Sequence, residues 1–175
     1  MKRRIKIWYV GTLVFLSIAP MLAQETRAQA VAGMRKVDAK EMDPTYAVPS
    51  PIAQKLVNEA LAKHPEVLLL GIHATPSGHQ NVIIASNFGR IGKIGDEDDL
   101  RCIKTGKSNL EVNGNHFEVE LVLQDMAGKT IGALGVVFRY KVGDDKAALE
   151  KIAEQIRDEM KLQLPTQAAL FASTT

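Results

Sequence analysis

The run from Thr130 to Tyr140 limits what this chain can fold into more than any other stretch. Ile131, Ala133, Leu134, Val136, Val137 and Phe138 place apolar side chains at odd and even positions alike. Successive side chains of a strand point to opposite faces of its sheet, so this strand has to be covered on both. The run therefore predicts a central strand with a layer on each side. Gly132 and Gly135 interrupt it. A glycine inside a strand marks a place where a helix, another backbone or a ligand comes close.

The neighbouring segments supply the rest of a sheet. Phe117, Val119, Leu121 and Leu123 alternate with His116, Glu118, Glu120 and Val122, the period of a strand with one apolar face. Leu110 and Val112 lead into Asn113-Gly114, a strong hairpin signal. Asp125 and Gly128 mark the turn before the long strand. Earlier, Val67 to Ile72 is continuously apolar, Pro76-Ser77-Gly78 is a turn, and Asn81 to Ala85 returns as a second strand.

Helices frame these strands. Ser50-Pro51 is a helix start, followed by Ile52, Leu56, Val57, Ala60 and Leu61 on one face and closed by His64-Pro65. Residues 86–108 read as a glycine-bearing loop and a short helix opened by Asp96 to Asp99, because carboxylates suit the exposed N–H groups of a helix start. Gly143-Asp144-Asp145 caps a last helix carrying Leu149, Ile152, Ile156 and Met160, which Leu164-Pro165 ends. The order is helix, two strands, short helix, three strands, helix. It predicts an α+β fold: a single five-stranded antiparallel sheet flanked by an N-terminal helix, a short lid helix and a C-terminal helix.

The first 30 residues have a separate logic. Lys2, Arg3, Arg4 and Lys6 precede an uncharged run from Ile7 to Ala23, and Ala28-Gln29-Ala30 offers a small-x-small end. That is the pattern of a cleaved export signal, with Val31 as the expected first mature residue and cleavage after Ala23 as the alternative. The rival is an uncleaved anchor, disfavoured by the short run and by Pro20. The expected division is a signal peptide over 1–30, a flexible leader over 31–49, one domain over 50–163 and a disordered tail over 164–175. The expected location is periplasmic or secreted.

The signal also carries the apparent positive charge. Taking five of the 22 basic and one of the 20 acidic residues with it leaves the remainder at net −2. No basic patch remains to attract nucleic acid, and that class of partner is excluded. Cys102 is the sole cysteine, so no internal disulfide is expected and packing must stabilise the fold.

Ala85-Ser86-Asn87-Phe88-Gly89-Arg90-Ile91-Gly92-Lys93, Asp96 to Asp99, and Gln124 to Gly135 together carry a family likeness. Its most specific piece is D-x-x-G-K-x-I-G-x-L, from Asp125 to Leu134. The stretch 50–163 resembles extracytoplasmic PAS-like sensor domains, the Cache or PDC domains. The resemblance implies a small-molecule cavity on one side of the sheet, closed by residues 86–108. Such domains usually precede a second membrane span and an output module, and neither is expected after the last helix here. The expectation is a free binding protein, or an accessory module that works through an envelope partner or a homodimer. The aromatic pattern of the amino-acid-binding members does not carry over, because the only tryptophan is Trp8.

Position alone nominates ligand-binding residues: His73 at the end of the first strand, Asn81 at the start of the second, Arg101 in the lid, Asp125 at the turn and Arg139 near the end of the long strand. The bland reading is a turn hydrogen bond for Asp125 and an exposed Arg139. His73 and His79 flank one turn, but their spacing is not a metal signature, and no metal or other cofactor is expected. A metal or haem carrier is the minor alternative. Gly89-Gly92-Gly95 is not a dinucleotide fingerprint, and Gly106-Lys107-Ser108 lacks the first glycine of a P-loop. Asp96 to Asp99 reads as a helix cap, and Glu118 and Glu120 as a solvated strand pair. No catalytic constellation is visible, and no enzymatic role is expected.

Overall fold

The computed structural model describes residues 25–172. The core of the proposed signal, residues 1–24, lies outside the described residues. Four α-helices, α1 (Arg27–Gly33), α2 (Pro51–Lys63), α3 (Glu97–Thr105) and α4 (Lys146–Lys161), surround five strands. The strands are β1 (Val67–Ala74), β2 (Val82–Ser86), β3 (Asn109–Asn113), β4 (His116–Gln124) and β5 (Thr130–Arg139). They form one antiparallel sheet in the order β2-β1-β5-β4-β3, with β5 at its centre. This is the single five-stranded antiparallel sheet of an α+β fold that the apolar pattern predicts. No helix among the described residues is long and apolar enough to cross a membrane.

Period-two alternation divides the sheet into two unlike faces. Leu70, Ile72, Val119, Leu121, Leu134, Val136 and Phe138 are buried in the main core. Leu56, Val57 and Ala60 of α2 and Ala153, Ile156 and Met160 of α4 complete it. The opposite face carries Leu69, Gly71, His73, Glu118, Glu120, Gly135 and Val137 toward a cavity. Here α1 and α3 supply the cover. A bulge between Val67 and Leu69 lets both Leu68 and Leu69 pack with Ala30 of α1.

The β3–β4 hairpin turns one residue later than Asn113-Gly114 suggests. Asn113 still pairs with His116, so Gly114-Asn115 is the loop. Only Gly114 takes a positive φ, 60°. Glycine at the first of two central positions is the type II′ arrangement, whose twist suits flanking strands.

Two stretches expected to be loose are packed. In the 31–49 leader, Ile94 N–H donates to Glu41 O and Asp43 N–H donates to Gly92 O, each at 2.8 Å. Residues 92–94 in turn bond Ile83 on β2. Gly92 (φ 86°) is needed there, because a Cβ would lie 2.1 Å from Tyr46 O. In the 164–175 tail, Leu164 and Leu170 are fully buried, and the Ser50 hydroxyl donates to Leu170 O. The physical reason is the same in both cases. Single anchors with no periodic spacing hold these segments, and the anchors' partners lie far away in sequence.

The predicted cleavage point also falls within structure. Ala30 is buried inside α1, and Thr26 and Gln29 form a capping box at its start. Arg27 donates from Nε to Val67 O at 2.8 Å and from Nη2 to Leu61 O and His64 O at 2.8 and 3.1 Å. Its guanidinium thus closes the end of α2 and the start of β1.

Candidate functional site

A cavity of about 510 Å³ lies between the second face of the sheet and its cover. The sheet contributes its floor because the odd positions of β1 and β5 and the even positions of β4 point the same way. Leu69, Phe88 and Val137 form an apolar wall, while Arg35 and Arg90 stand at one side. At Gly71 a Cβ would lie 2.9 Å from the tip of the Phe88 ring, so glycine lets that ring approach β1. Gly135 also faces the cavity, where an added Cβ would meet only Glu118 Oε1 at 3.9 Å. Gly132 has another purpose: a Cβ there would lie 2.2 Å from His73 O, so it permits close backbone approach between β5 and β1.

Charge is concentrated on the floor. Asp96 caps α3, and Asp99 answers in a capping box: Asp96 N–H donates to Asp99 Oδ2 at 3.0 Å, and Asp99 N–H to Asp96 Oδ1 at 3.4 Å. The box satisfies two helix-start donors and turns the Asp99 carboxylate inward, where it is 3% exposed. Glu120 reaches the same place from β4 and is 8% exposed. One oxygen each from Asp96, Asp99 and Glu120 can lie within 4.8 Å of one another. Lys93, buried beside them, brings its Nζ to 3.3 Å from Asp96 Oδ2.

His73 completes the group. A bulge where β1 pairs with β2, between Ile72 and His73, sets it opposite Ile83 on the cavity side. Its Nδ1 lies 3.2 Å from Asp99 Oδ2, but off the line of a hydrogen bond, and has no other partner. Glu120 Oε2 and Asn81 Oδ1 are likewise buried without a hydrogen-bond partner.

This crowding shifts the groups' acidities. Burial, then the Asp96 charge, pushes Asp99 up to about 7. Burial, then Asp99 and Glu118, pushes Glu120 up to about 8. Glu118 is raised by burial and by Glu111 across the hairpin. Burial and the Lys93 charge hold His73 down to about 4, so it is neutral at pH 7. For Asp96 burial acts upward, but Lys93 and the Asp99 N–H outweigh it and hold the carboxyl below its ordinary value. The floor thus combines carboxyl groups in different protonation states with a neutral imidazole.

Of the five residues nominated by position, His73 lines the cavity. Asn81 sits just behind it, with its Oδ1 against the Gly95 backbone near Asp99. Arg101 lies on the outer side of α3, paired with Asp98 and 3.3 Å from Asn109 Oδ1. Asp125 makes its turn, accepting from Lys129 N–H at 2.9 Å. Arg139 donates to Glu25 O beside His116, whose Nε2 is 2.9 Å from Glu25 Oε2. His79 does not join His73. It bonds Asp43 at 2.9 Å and packs edge-on to Tyr46. Cys102 is buried, and burial followed by the Glu120 and Asp99 charges raises its thiol to about 11.

Asp99, Glu118 and Glu120 were not among the nominated residues. Their signal was present in one respect: Glu118 and Glu120 sit on a strand beside β5, which is apolar on both faces. A polar face next to a doubly covered strand is itself covered.

No protein-family model matches the chain, and no curated protein does. Among solved structures, it is similar to a protein described as a GAF sensor from Burkholderia vietnamiensis, with 15% identity over 84% of this chain and 94% of that one and a TM-score of 0.46. It is also similar to the GAF domain of nlh2 from A. aeolicus in an inactive state, with 13% identity over 69% and 94% and a TM-score of 0.44. A third is a type II free methionine-R-sulfoxide reductase from Thermoplasma acidophilum, with 17% identity over 60% and 86% and a TM-score of 0.42. Likeness at this level leaves the functional reading to the chain's own residues.

Proposed function

We propose that this chain is a PAS-like sensor or binding domain of the Cache type, which takes a small polar molecule between sheet and lid and carries out no reaction on it. The observation that carries the reading is the cavity of about 510 Å³, which falls in the size range of ligand pockets. Its polar groups are divided: carboxyl groups predominate on the floor, in Asp96, Asp99, Glu118 and Glu120 with Lys93 among them, and Arg35 and Arg90 stand at the side. That division favours a ligand with a cationic or donor-rich end and an anionic or acceptor-rich end. Phe88, Leu69 and Val137 would shield its apolar part. The basic n-region and apolar run before residue 24 support a place in the cell envelope.

The test is thermal unfolding of the protein from Gln24 onward against a panel of amines, amino acids and small carboxylates. At least one compound is expected to raise the melting temperature, and Arg90→Ala or Glu118→Gln to abolish the rise. No rise with any compound, together with a crystal structure in which side chains fill the cavity, would falsify the reading.

A second reading rests on a different feature. The edge strand β3 leaves Leu110 and Val112 exposed beside unpaired backbone groups. Such an edge suits addition of a strand from an envelope partner or a second copy. Cross-linking from β3 that disappears in Leu110→Lys and Val112→Lys favours this accessory role. Compound binding without any cross-link favours the first.

A further inference from the structure

We propose that His73, Asp99 and Glu120, joined by Asp96, form a binding site for a divalent first-row transition-metal ion, such as Mn²⁺, Fe²⁺ or Zn²⁺, at the floor of the cavity. The inference deepens the binding-cavity reading and shares its premise that solvent reaches the floor.

The carboxylate donors come from α3 and its cap and from β4, and His73 of β1 stands beside Asp99. Oxygen atoms of Asp96, Asp99 and Glu120 come within 4.8 Å of one another. Ligands at about 2.1 Å from one ion stand roughly 3–4 Å apart, so small rotamer changes bring these atoms into a coordination shell. His73 Nδ1 is already 3.2 Å from Asp99 Oδ2.

Two buried atoms make this more than an acidic cluster. His73 is 7% exposed and Glu120 8%, and His73 Nδ1 and Glu120 Oε2 each have no hydrogen-bond partner. An orphaned buried polar atom is costly, and most such atoms in folded proteins have partners. A cation between them answers both with one interaction. The local donors do not: Lys93 Nζ bonds Asp96 and Ile94 O, and the Asp96 N–H takes Asp99 Oδ2. One ammonium also faces three carboxyl groups.

The mixed set selects the ion class. Ca²⁺ and Mg²⁺ take oxygen ligands almost exclusively, whereas imidazole with carboxylates suits Mn²⁺, Fe²⁺ and Zn²⁺. The capping box fixes the carboxylates of Asp96 and Asp99 in the manner of an outer hydrogen-bond shell. With the ion in place, a polar ligand entering past Arg90 could bind it directly.

The experiment is calorimetric titration of Mn²⁺ and Zn²⁺ into chelator-stripped protein from Gln24 onward, with absorption of the Co²⁺ form as a second readout. One ion per chain is expected. Glu120→Gln, Asp99→Asn and His73→Gln are each expected to weaken binding at least tenfold, and His73→Gln to change the Co²⁺ spectrum. His116→Gln, at the cavity mouth, is expected to leave binding unchanged. All variants are checked for folding by circular dichroism, and Glu120→Gln and Asp99→Asn keep the size and polarity of the side chains they replace, so the fold is expected to survive. No binding, or binding that the three variants leave unaltered, overturns the inference. An organic compound that binds while no metal does also overturns it, and leaves the cavity reading intact. Metal binding lost in the variants upholds it whether or not an organic compound binds.

Discussion

Arg27→Ala tests whether the segment before Val31 belongs to the folded domain. In the structure its guanidinium donates to three carbonyls, those of Leu61, His64 and Val67, at 2.8, 3.1 and 2.8 Å. Two of these carbonyls close α2, where a cation also meets the negative end of the helix dipole. A hydrogen bond from a charged donor contributes about 1.5–3 kcal/mol when its acceptor is left dry. These acceptors are part-buried, and water recovers a share of each bond, so about 1 kcal/mol per bond is the appropriate figure. The substitution is therefore expected to cost about 2–3 kcal/mol. For a chain of this size that lowers the melting temperature by roughly 5–10 °C. The assay is urea unfolding of protein beginning at Gln24, with and without the substitution, beside a protein beginning at Val31. The Val31 form is expected to lose at least as much. A change below about 0.5 kcal/mol, the range of ordinary surface substitutions, would refute the reasoning. It would return Arg27 to the signal peptide. If the loss is found, processing after Ala23 is the arrangement that keeps the domain whole, and N-terminal sequencing of exported protein should read Gln24.

Other outcomes follow from the same geometry. Asp99 and Glu120 sit at about 7 and 8 in the folded chain, above their unfolded values near 4, so the metal-free folded state holds protons that the unfolded state has released. Stability should therefore fall as pH rises from 6.5 to about 8.5, a window above the titration of His73; Glu120→Gln should flatten the slope, and a flat or rising wild-type urea midpoint would contradict this. Gly132→Ala forces a Cβ to 2.2 Å from His73 O and should cost about 2 kcal/mol or more, whereas Gly135→Ala meets only Glu118 Oε1 at 3.9 Å and should stay within about 1 kcal/mol of the parent in thermal unfolding. Leu170→Ala removes a fully buried side chain and should cost about 2–4 kcal/mol by urea unfolding, where a disordered tail would cost nothing. Cys102, buried with its thiol raised to about 11, should resist iodoacetamide at neutral pH until urea unfolds the chain; rapid labelling of native protein would be inconsistent with that burial.

Much of the fold is written in local periodicity, which is why it could be read. The two-faced apolarity of Thr130 to Tyr140 places β5 in the middle of the sheet, and the structure has it there. Asp96 begins α3 as the acidic cluster suggests. What escaped reading depends on contacts between distant residues. Leu170 is held by the groove around Ser50, and residues 41–43 by residues 92–94. Neither has a repeat that advertises its partner. The site failed to show for a related reason. Glu118 and Glu120 have the spacing of a solvated strand face, and nothing nearby says that α3 folds back over them. Asp99 reads as one more residue of a helix cap until its partner His73, from β1, is seen beside it. His73 was found because a strand end is a common place for a functional side chain, while its carboxylate neighbours come from elements that sequence order keeps apart.

The alternation along β1, β4 and β5 also has a consequence for how such a domain can change over generations. Leu70 and Ile72 hold the core while His73, one step on, faces the cavity; Val119 and Leu121 do the same for Glu118 and Glu120. Cavity-lining and core residues therefore occupy interleaved positions of the same strands, back to back, and seldom compete for one side chain. Substitutions that retune what the cavity accepts leave the opposite parity untouched. Selection can rewrite the lining of this cavity at little expense to the core behind it. Descendants could come to recognise quite different molecules while their core residues remain recognisably related.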